Sequence, residues 1–217
     1  YEAKKAGKTI LFEGAQATLL DIDFGTYPYV TSSHPLSAGV CTGTGVGPMT
    51  IDAIYGVAKA YTTRVGKGPF PTELNDETGD YIRNKGGEFG TITGRPRRTG
   101  WFDSVIVRHA VRVNGLSSLV INKLDTLAGL DTLKVCVAYK KPDGTIIKDF
   151  PPTLEGLEGC EPVYEEFKGF TDDLSACRKF EELPEVCRKY ISRLEELCEC
   201  PISMVGVGPD RAQVIER

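Results

Sequence analysis

The sequence predicts an α/β fold in which a mostly parallel central sheet is flanked by helices and carries one antiparallel hairpin excursion. Short apolar runs that are typical of buried strands alternate with segments of helical spacing. The turn sequence Pro142-Asp-Gly144 lies between two strand-like runs and favours a hairpin. The chain shows no internal repeat and no low-complexity linker, so we expect residues 1–217 to form one continuous domain.

The first half of the chain contains one expected strand, a long loop and two expected helices. Thr9–Glu13 is mostly apolar and is followed by a glycine, which favours a short buried strand. Residues 14–48 are rich in Gly, Thr and Ser and are expected to form a long functional loop. Apolar side chains recur at helical spacing in residues 51–64, and a second helix is expected over Glu77–Lys85, ended by two glycines.

The second half alternates more regularly between helix and strand. Asp103 is a candidate N-cap, because a carboxylate can accept hydrogen bonds from the first free N–H groups of a helix. The expected elements, in chain order, are a helix from Asp103 through Val113 ended by Asn114-Gly115, a buried strand over Ser118–Ile121, hairpin strands over Lys134–Tyr139 and Thr145–Asp149, a helix over Pro184–Glu199 and a strand over Ile202–Val205.

The composition is that of a soluble globular protein, with 41% hydrophobic and 26% charged residues. A formal net charge of -4 argues against non-specific nucleic-acid binding, which needs a basic surface. No apolar run approaches the roughly 20 residues that span a bilayer, so we expect a cytoplasmic protein that binds no membrane. The N-terminus has neither the pattern of a signal peptide nor an initiator Met, which fits a fragment or a processed chain.

The cysteines and histidines give little functional information. Seven cysteines at irregular spacing, without a CxxC pair, argue against a disulfide framework and favour reduced thiols. Cys198-Glu-Cys200 could hold a soft metal, but no second ligand pair accompanies it. The two histidines, His34 and His109, carry no functional assignment, and His109 is expected to be a packed or surface side chain.

The sharpest local signal is Asn122-Lys-Leu-Asp125, directly after the strand expected over Ser118–Ile121. In open α/β sheets, ligands bind beyond the carboxyl ends of the strands. An ionised aspartate accepts two parallel hydrogen bonds from the N1–H and 2-amino groups of guanine, and adenine offers no such pair. The aliphatic stem of Lys123 can cover the ring. The segment resembles the NKxD guanine motif of GTP-binding proteins; a polar turn capped by the aspartate is the alternative.

Two loops predict binding of small anions. Residues 91–100 combine three arginines with threonines and glycines, and arginine forks bind carboxylate or phosphate. A solvated basic loop is one alternative; RNA binding through Arg95–Arg98 is another, which the acidic balance and the lack of stacking aromatics disfavour. Gly43-Thr-Gly-Val-Gly47 could cradle a phosphate before the helix expected from Ile51, but a tight turn explains it equally well and it is not a Walker A sequence.

Spaced motifs through nearly all of the chain together resemble the adenylosuccinate synthetase family. The motifs, in order, are Phe12-Glu-Gly-Ala-Gln16, Leu20-Asp-Ile-Asp23, Gly25-Thr-Tyr-Pro28, Val30-Thr-Ser-Ser33, Thr63-Arg-Val-Gly66, Gly68-Pro-Phe-Pro-Thr-Glu73, Thr93-Gly-Arg95, Arg98-Thr-Gly-Trp101, Lys123-Leu-Asp125 and Gly208-Pro-Asp-Arg211. The resemblance implies that residues 1–217 are the C-terminal portion of a single domain with the P-loop-NTPase-like fold of these synthetases, truncated at its N-terminus.

The resemblance also implies a reaction and its partners. Members of the family are GTP-dependent ligases of purine biosynthesis that use Mg²⁺ and join IMP to L-aspartate, giving adenylosuccinate, GDP and phosphate. They phosphorylate the 6-oxygen of IMP, and the amine of aspartate then displaces phosphate. They work as homodimers whose active site borrows from the neighbouring subunit. A non-catalytic GTP-binding module is the alternative, for which the NKxD motif alone would suffice.

By matched position, the resemblance implies three groups of binding residues. IMP would contact Gln16, Thr31, Val65 and Arg95. The mobile loop that receives aspartate would comprise Thr91, Ile92, Thr93, Gly94, Arg95, Pro96 and Arg97, with Thr93 and Arg95 on the aspartate carboxylates. GTP would contact Arg97, Lys123, Leu124, Asp125, Gly206, Val207 and Gly208.

The chain departs from the family pattern at three places. Pro96 stands where an often basic residue occurs, which is expected to stiffen the loop. Gly206-Val207 stands where many members have Ser-Thr, which would restrict any base contact there to the main chain. The family's phosphate loop, catalytic aspartate, catalytic histidine and Mg²⁺ ligands lie upstream of the matched region. We therefore expect no catalytic or metal-binding residue in these 217 residues and no activity from the chain alone.

Overall fold

The computed structural model describes residues 1–92 and 94–217 of the chain. Its helices and strands, in chain order, are α1 (Glu2–Lys5), α2 (Ala38–Thr44), β1 (Tyr55–Lys59), β2 (Thr62–Arg64), α3 (Glu77–Lys85), β3 (Arg98–Gly100), β4 (Phe102–Asp103), α4 (Ser104–Asn114), β5 (Ser118–Asn122), β6 (Leu130–Lys140), β7 (Ile146–Ile147), β8 (Glu161–Phe170), α5 (Glu185–Cys198), β9 (Ile202–Gly206) and β10 (Val214–Glu216).

The main sheet has four strands in the order β1-β5-β9-β10. The first three run parallel, and β10 pairs antiparallel with β9. A continuous core joins this sheet to the second one through fully buried side chains such as Ile121 of β5, Val135 of β6 and Leu194 of α5. The predicted fold class, a mostly parallel sheet flanked by helices, is confirmed.

The antiparallel excursion is larger than the predicted hairpin. The β6 and β7 strands pair as expected, with Tyr139 opposite Ile147. A longer antiparallel strand, β8, lies along β6 from Leu130 opposite Phe170 to Lys140 opposite Glu161. The β8 strand was not predicted. The β4 strand adds a short parallel pair to β6, so the second sheet is mixed.

The α3 and α4 helices begin after capping aspartates, and both end at glycines, as the sequence predicted. Asp103 Oδ1 accepts hydrogen bonds from the main-chain N–H groups of Val105 and Ile106 at 3.0 and 3.2 Å, and Gly115 ends α4 in the left-handed region at φ 62°. The α3 helix begins after Asp76, which accepts from Gly79 N at 2.9 Å. The predictions of α3, α4, α5, β5 and β9 are confirmed to within one or two residues at each end.

The strand predicted over Thr9–Glu13 is wrong. These residues form no strand, and the side chain of Leu11 is 88% exposed. A strand needs a neighbour that satisfies its N–H and C=O groups, and no strand in the described part of the chain pairs with this segment.

The helix predicted over residues 51–64 is also wrong, because the segment forms β1, a bend and β2. Its apolar positions fit a helical period, but Tyr55, Val57 and Lys59 also alternate with Gly56 and Ala58 at the period of a strand. Pairing with β5 decides between the two, because each residue of β1 lies opposite one of β5.

The Gly43–Gly47 segment does not lead into an α-helix from Ile51. It contains the carboxyl end of α2, where Gly45 adopts the left-handed conformation at φ 75°, and a short 3₁₀-helix, Pro48–Thr50, begins after Gly47. A helix carboxyl end presents carbonyl oxygens rather than N–H groups and does not favour a phosphate. The phosphate cradle considered for this loop depended on a helix from Ile51, and residues 51–64 form strands instead.

Within the described residues, none of the helices combines the length and the apolar character that a membrane crossing would require.

Candidate functional site

Three parallel strands end side by side at the carboxyl edge of the main sheet. Lys59, the last residue of β1, lies opposite Asn122, the last residue of β5. Gly206 ends β9 so close to Asn122 that a Cβ atom at Gly206 would lie 2.7 Å from Asn122 Oδ1 and 3.3 Å from its Cα. A side chain at this position would require Asn122 to shift. The edge is the position at which open α/β sheets bind ligands.

The Asn122–Asp125 segment turns sharply at this edge. Lys123 adopts the left-handed conformation at φ 61°, and a short 3₁₀-helix, Leu124–Leu127, follows it. Leu124 is fully buried, so its side chain belongs to the core, and any ligand contact there would use the main chain. Asp125 Oδ1 is buried and receives no hydrogen bond from the described residues. A buried acceptor without a donor is costly, so this oxygen is suited to a donor from a ligand.

A buried carboxylate, Glu88, lies beside Lys123 and was not predicted. Its side chain is fully buried, and its two oxygens each lie 2.7 Å from Lys59 Nζ. Tyr61 Oη donates to Oε1 at 2.6 Å, and Arg97 donates to Oε2 at 2.7 Å. Lys123 Nζ lies 3.4 Å from Oε1 and also donates to the main-chain oxygen of Gly86. One anion therefore contacts three cations.

The ionisation of this cluster follows from its contacts. Burial alone would raise the pKa of Glu88, but the hydrogen bonds donated by Lys59, Tyr61 and Arg97 outweigh it and lower that pKa to about 2. Burial lowers the pKa of Lys59, and the hydrogen bond to Glu88 partly offsets this. Burial and the neighbouring carboxylate raise the pKa of Tyr61. Glu88 is therefore an anion at neutral pH.

The basic loop is a hairpin-like turn whose base is Glu88 and Arg97. The N–H of Arg97 donates to the main-chain oxygen of Glu88 at 2.9 Å, and Arg83 Nε donates to the main-chain oxygen of Arg97 at 2.9 Å. Further along the loop, the N–H of Gly90 donates to the main-chain oxygen of Arg95 at 2.8 Å. Phe89 and Pro96 form an isolated antiparallel β-bridge. The exposed tip of the loop thus projects from a fixed base.

The residues predicted to form the aspartate loop lie mostly at this tip. Thr93 lies outside the described residues. Arg97 is half-buried at the base of the loop. The remaining residues of this group are exposed: Thr91, Ile92, Gly94, Arg95 and Pro96.

Two of the predicted IMP residues meet directly. Gln16 Nε2 donates to Thr31 Oγ1 at 3.1 Å, and Ser33 Oγ donates to Gln16 Oε1 at 3.3 Å. Gln16 has a left-handed backbone at φ 69°. Among the described non-glycine residues, positive φ occurs at Gln16, Lys123 and Glu199, and the first two are predicted ligand contacts. Such strain is concentrated at functional sites.

Arginine contacts join the remaining segments. Arg64 donates to Thr26 Oγ1 at 2.7 Å and to the main-chain oxygen of Tyr29 at 3.2 Å, which ties the start of the exposed Val65 loop to the segment that leads to Thr31. Arg98 donates to the main-chain oxygens of Gly66 and Gly68 at 3.2 and 2.9 Å. The basic loop, the Val65 loop and the Gln16–Thr31 pair are thus linked by hydrogen bonds.

The Gly206–Gly208 segment lies against the NKxD turn. Val207 is fully buried, and its N–H donates to the main-chain oxygen of Gln213 at 2.9 Å. A Cβ at Gly208 would lie 2.3 Å from Gln213 Oε1. The segment therefore offers main-chain groups rather than side chains, as the sequence suggested.

Comparison with known proteins identifies the family. The sequence model of adenylosuccinate synthetase matches residues 1–215. The chain belongs to the adenylosuccinate synthetase family. It is 61% identical over 215 residues to the adenylosuccinate synthetase of Heliobacterium modesticaldum and 58% identical to that of Caldanaerobacter subterraneus, in each case over 99% of this chain and 50% of the relative. The chain thus spans about half the length of these curated relatives.

Solved structures agree with the family assignment. The fully ligated adenylosuccinate synthetase of Plasmodium falciparum superposes with a TM-score of 0.96 at 44% identity, covering 100% of this chain and 52% of that one. The cyanophage S-2L succinoaminodeoxyadenylate synthetase, at 18% identity and a TM-score of 0.55, shares the fold. The family predicted from the motifs is confirmed.

Proposed function

We propose that these 217 residues provide the IMP, aspartate and GTP recognition of an adenylosuccinate synthetase, and that groups outside them activate the phosphate. The whole enzyme would be a ligase of purine biosynthesis that forms adenylosuccinate, GDP and phosphate. The observation that carries this proposal is the Asn122–Asp125 turn at the carboxyl edge of the sheet, in a chain of this family.

Guanine recognition rests on Asp125 and Lys123. The buried oxygen of Asp125 that receives no donor from the described residues would accept from the N1–H or 2-amino group of guanine. Lys123, with its Nζ held by Gly86 and Glu88, would lay its aliphatic stem over the ring. The main chain of residues 206–208 would complete the pocket, and Arg97 would reach the nucleotide from the base of the loop.

The substrates IMP and aspartate would occupy the linked loops. Gln16 would bind the base of IMP, Thr31 its phosphate and Val65 its sugar, and the contact between Gln16 and Thr31 supports a shared ligand. The loop over residues 91–97 would hold aspartate by its carboxylates, with Thr93 and Arg95 in contact with them and Arg95 also approaching IMP. Holding the amine in line with the activated carbon is the part of catalysis that positioning provides.

Phosphorylation of the 6-oxygen needs a base and a metal-bound triphosphate. The described residues contain no group of three His, Cys, Asp or Glu side chains that could hold a metal. The ligands of Mg²⁺ are proposed to lie outside these 217 residues, as the family resemblance implies. We also propose that the chain forms part of one larger domain, and that the whole enzyme is a cytoplasmic homodimer.

Asp125→Asn tests guanine recognition in a full-length synthetase that carries this sequence. An asparagine can donate to the 2-oxo group of xanthine but cannot accept both guanine donors. We expect kcat/KM for GTP to fall about 100-fold, as the loss of charged hydrogen bonds implies, and kcat/KM for XTP to rise. Steady-state assays with each nucleotide measure both.

The matched control for that experiment is Asp131→Asn, which changes an exposed carboxylate near the start of β6. It is expected to leave the preference for GTP unchanged. An unchanged GTP preference in Asp125→Asn would contradict the guanine assignment. A GTP-binding module without catalysis would show the same nucleotide swap in binding but no adenylosuccinate formation by the full-length protein.

A further inference from the structure

Glu88 lies between two parts of the site that have different ligands. It comes directly after Gly87, which has φ 61°, and its carboxylate contacts Lys123 of the guanine-reading turn on one side and Arg97 of the basic loop on the other. Its own main-chain oxygen closes the base of that loop by accepting from Arg97 N. The side chain of Glu88 thus contacts both parts, and its main chain contacts the basic loop.

We propose that Glu88 is a positioning residue that fixes Lys123 and Arg97 relative to one another, so that the nucleotide pocket and the aspartate loop keep one geometry. This inference rests on the proposed function. Glu88 itself would contact no substrate, because its carboxylate is fully buried and its oxygens are already occupied by protein donors.

The charge balance of the cluster supports this role. Lys59, Arg97 and Lys123 bring three positive charges to one carboxylate, and their side chains are 26, 31 and 38% exposed. Without the carboxylate, the three cations would repel one another in a partly desolvated space and separate. The arginine and the lysine that face the ligands would then lose their fixed positions.

The neighbours of Glu88 hold it rigidly. Lys59 belongs to the end of β1, and Tyr61 is buried in the main core, so two of its donors come from the scaffold rather than from the loop. A carboxylate fixed by the scaffold can hold the arginine at the base of the loop in place, as a supporting contact for a binding group must.

Glu88→Gln in the full-length synthetase tests the proposal. The carboxamide keeps the shape but removes the charge and presents an N–H₂ group to the cations. We expect KM for GTP and KM for aspartate to rise together about tenfold, because the loss of a supporting contact to a binding group costs at least that much. KM for IMP is expected to rise only about twofold, because Arg95 is its one proposed contact on the loop that Glu88 supports, whereas Gln16, Thr31 and Val65 are not held by Glu88. In a Lys123→Met background, the effect of Glu88→Gln on the KM for GTP is expected to shrink, because Glu88 acts through Lys123.

Glu165→Gln is the matched control, because Glu165 forms an ion pair with Arg193 at 3.0 Å between β8 and α5, outside the site. It is expected to leave all three KM values unchanged. Should Glu88→Gln fail to fold, as judged by its thermal unfolding, Tyr61→Phe removes one donor to Glu88 and keeps the buried ring. That variant is expected to raise the same two KM values by less.

Three results would overturn the proposal: unchanged KM values for GTP and aspartate in a folded Glu88→Gln protein, an equal rise in all three KM values, or an undiminished effect in the Lys123→Met background. None of these concerns the Asp125→Asn swap from GTP to XTP. If Asp125→Asn changes the preference from GTP to XTP but Glu88→Gln leaves the KM values unchanged, the proposed function remains intact. If Asp125→Asn leaves the preference for GTP unchanged, the proposed function itself is contradicted.

Discussion

At the scale of single residues, Glu88 combines complete burial with full ionisation. A lone carboxylate would be neutral in such a position, but its donors keep it charged. Its pKa lies at about 2, below the ordinary value of 4.5. The folded chain therefore binds this proton less readily than the unfolded chain, and ionised Glu88 stabilises the fold wherever the unfolded residue is also ionised.

The pH dependence of stability follows from this difference. Above about pH 4.5 the contribution of Glu88 is fully present, and it is lost as pH falls toward about 2. The whole contribution is roughly 3 kcal/mol. We expect the free energy of unfolding of Glu88→Gln, measured by urea titration between about pH 2 and pH 6, to change less with pH than that of the natural chain.

The control for the pH experiment is again Glu165→Gln, because the ion pair of Glu165 is partly exposed and contributes little. Its pH profile is expected to follow that of the natural chain. Parallel profiles for Glu88→Gln and the natural chain would show that Glu88 is not preferentially ionised in the fold.

At the residue level, the sequence indicates a candidate site where the pattern is contiguous, and the guanine role of that site stays a prediction. The NKxD turn was found because strand, turn and motif are adjacent in sequence. Glu88 and Lys59 were missed, because their roles exist only after β1 and the loop meet in space. A single glutamate after two glycines is typical of any surface turn, so no pattern in one sequence indicates it.

At the scale of elements, α4 depends on one buried cap. Asp103 accepts from the first N–H groups of the helix with Oδ1 and from Tyr139 Oη with Oδ2 at 2.7 Å. Burial raises the pKa of Asp103 to about 6, although the hydrogen bond from Tyr139 opposes this. The cap thus links the helix to the β6 strand as well as starting it.

Asp103→Ala is expected to cost about 2–4 kcal/mol, the sum of a lost cap and a buried hydroxyl without an acceptor. Asp76→Ala is the matched comparison, because Asp76 caps α3 with an exposed side chain and should cost only about 1 kcal/mol. Urea unfolding of both variants measures the difference. Equal costs would contradict the contribution assigned to the contact between Asp103 and Tyr139.

Helices with local end signals and strands with short apolar runs were predicted, whereas β1, β2 and β8 were not. Caps and terminal glycines gave α3 and α4. The segment over residues 51–64 fits both periods, and only pairing with β5 makes it a strand. The β8 strand has little alternation and takes its conformation from β6. Residue propensity and hydrophobic period describe one segment at a time, whereas strand formation depends on pairing with another segment.

At the scale of the whole molecule, the site is assembled from recognition elements. The parallel strands end where Lys123 and Gly206 lie, and hydrogen bonds connect the basic loop to the Val65 and Gln16 loops. These groups are proposed to bind and orient the ligands. The chain matches half the length of its curated relatives, and phosphate activation is proposed to come from groups outside these 217 residues.

The most direct test of this account is adenylosuccinate formation by the purified 217-residue chain, supplied with IMP, L-aspartate, GTP and Mg²⁺. The full-length synthetase of Heliobacterium modesticaldum, 61% identical over the matched region, serves as the positive control under the same conditions. We expect product from the full-length relative and none above background from the chain. Turnover by the chain alone would show that the activating groups lie within it and would contradict the division of function proposed here.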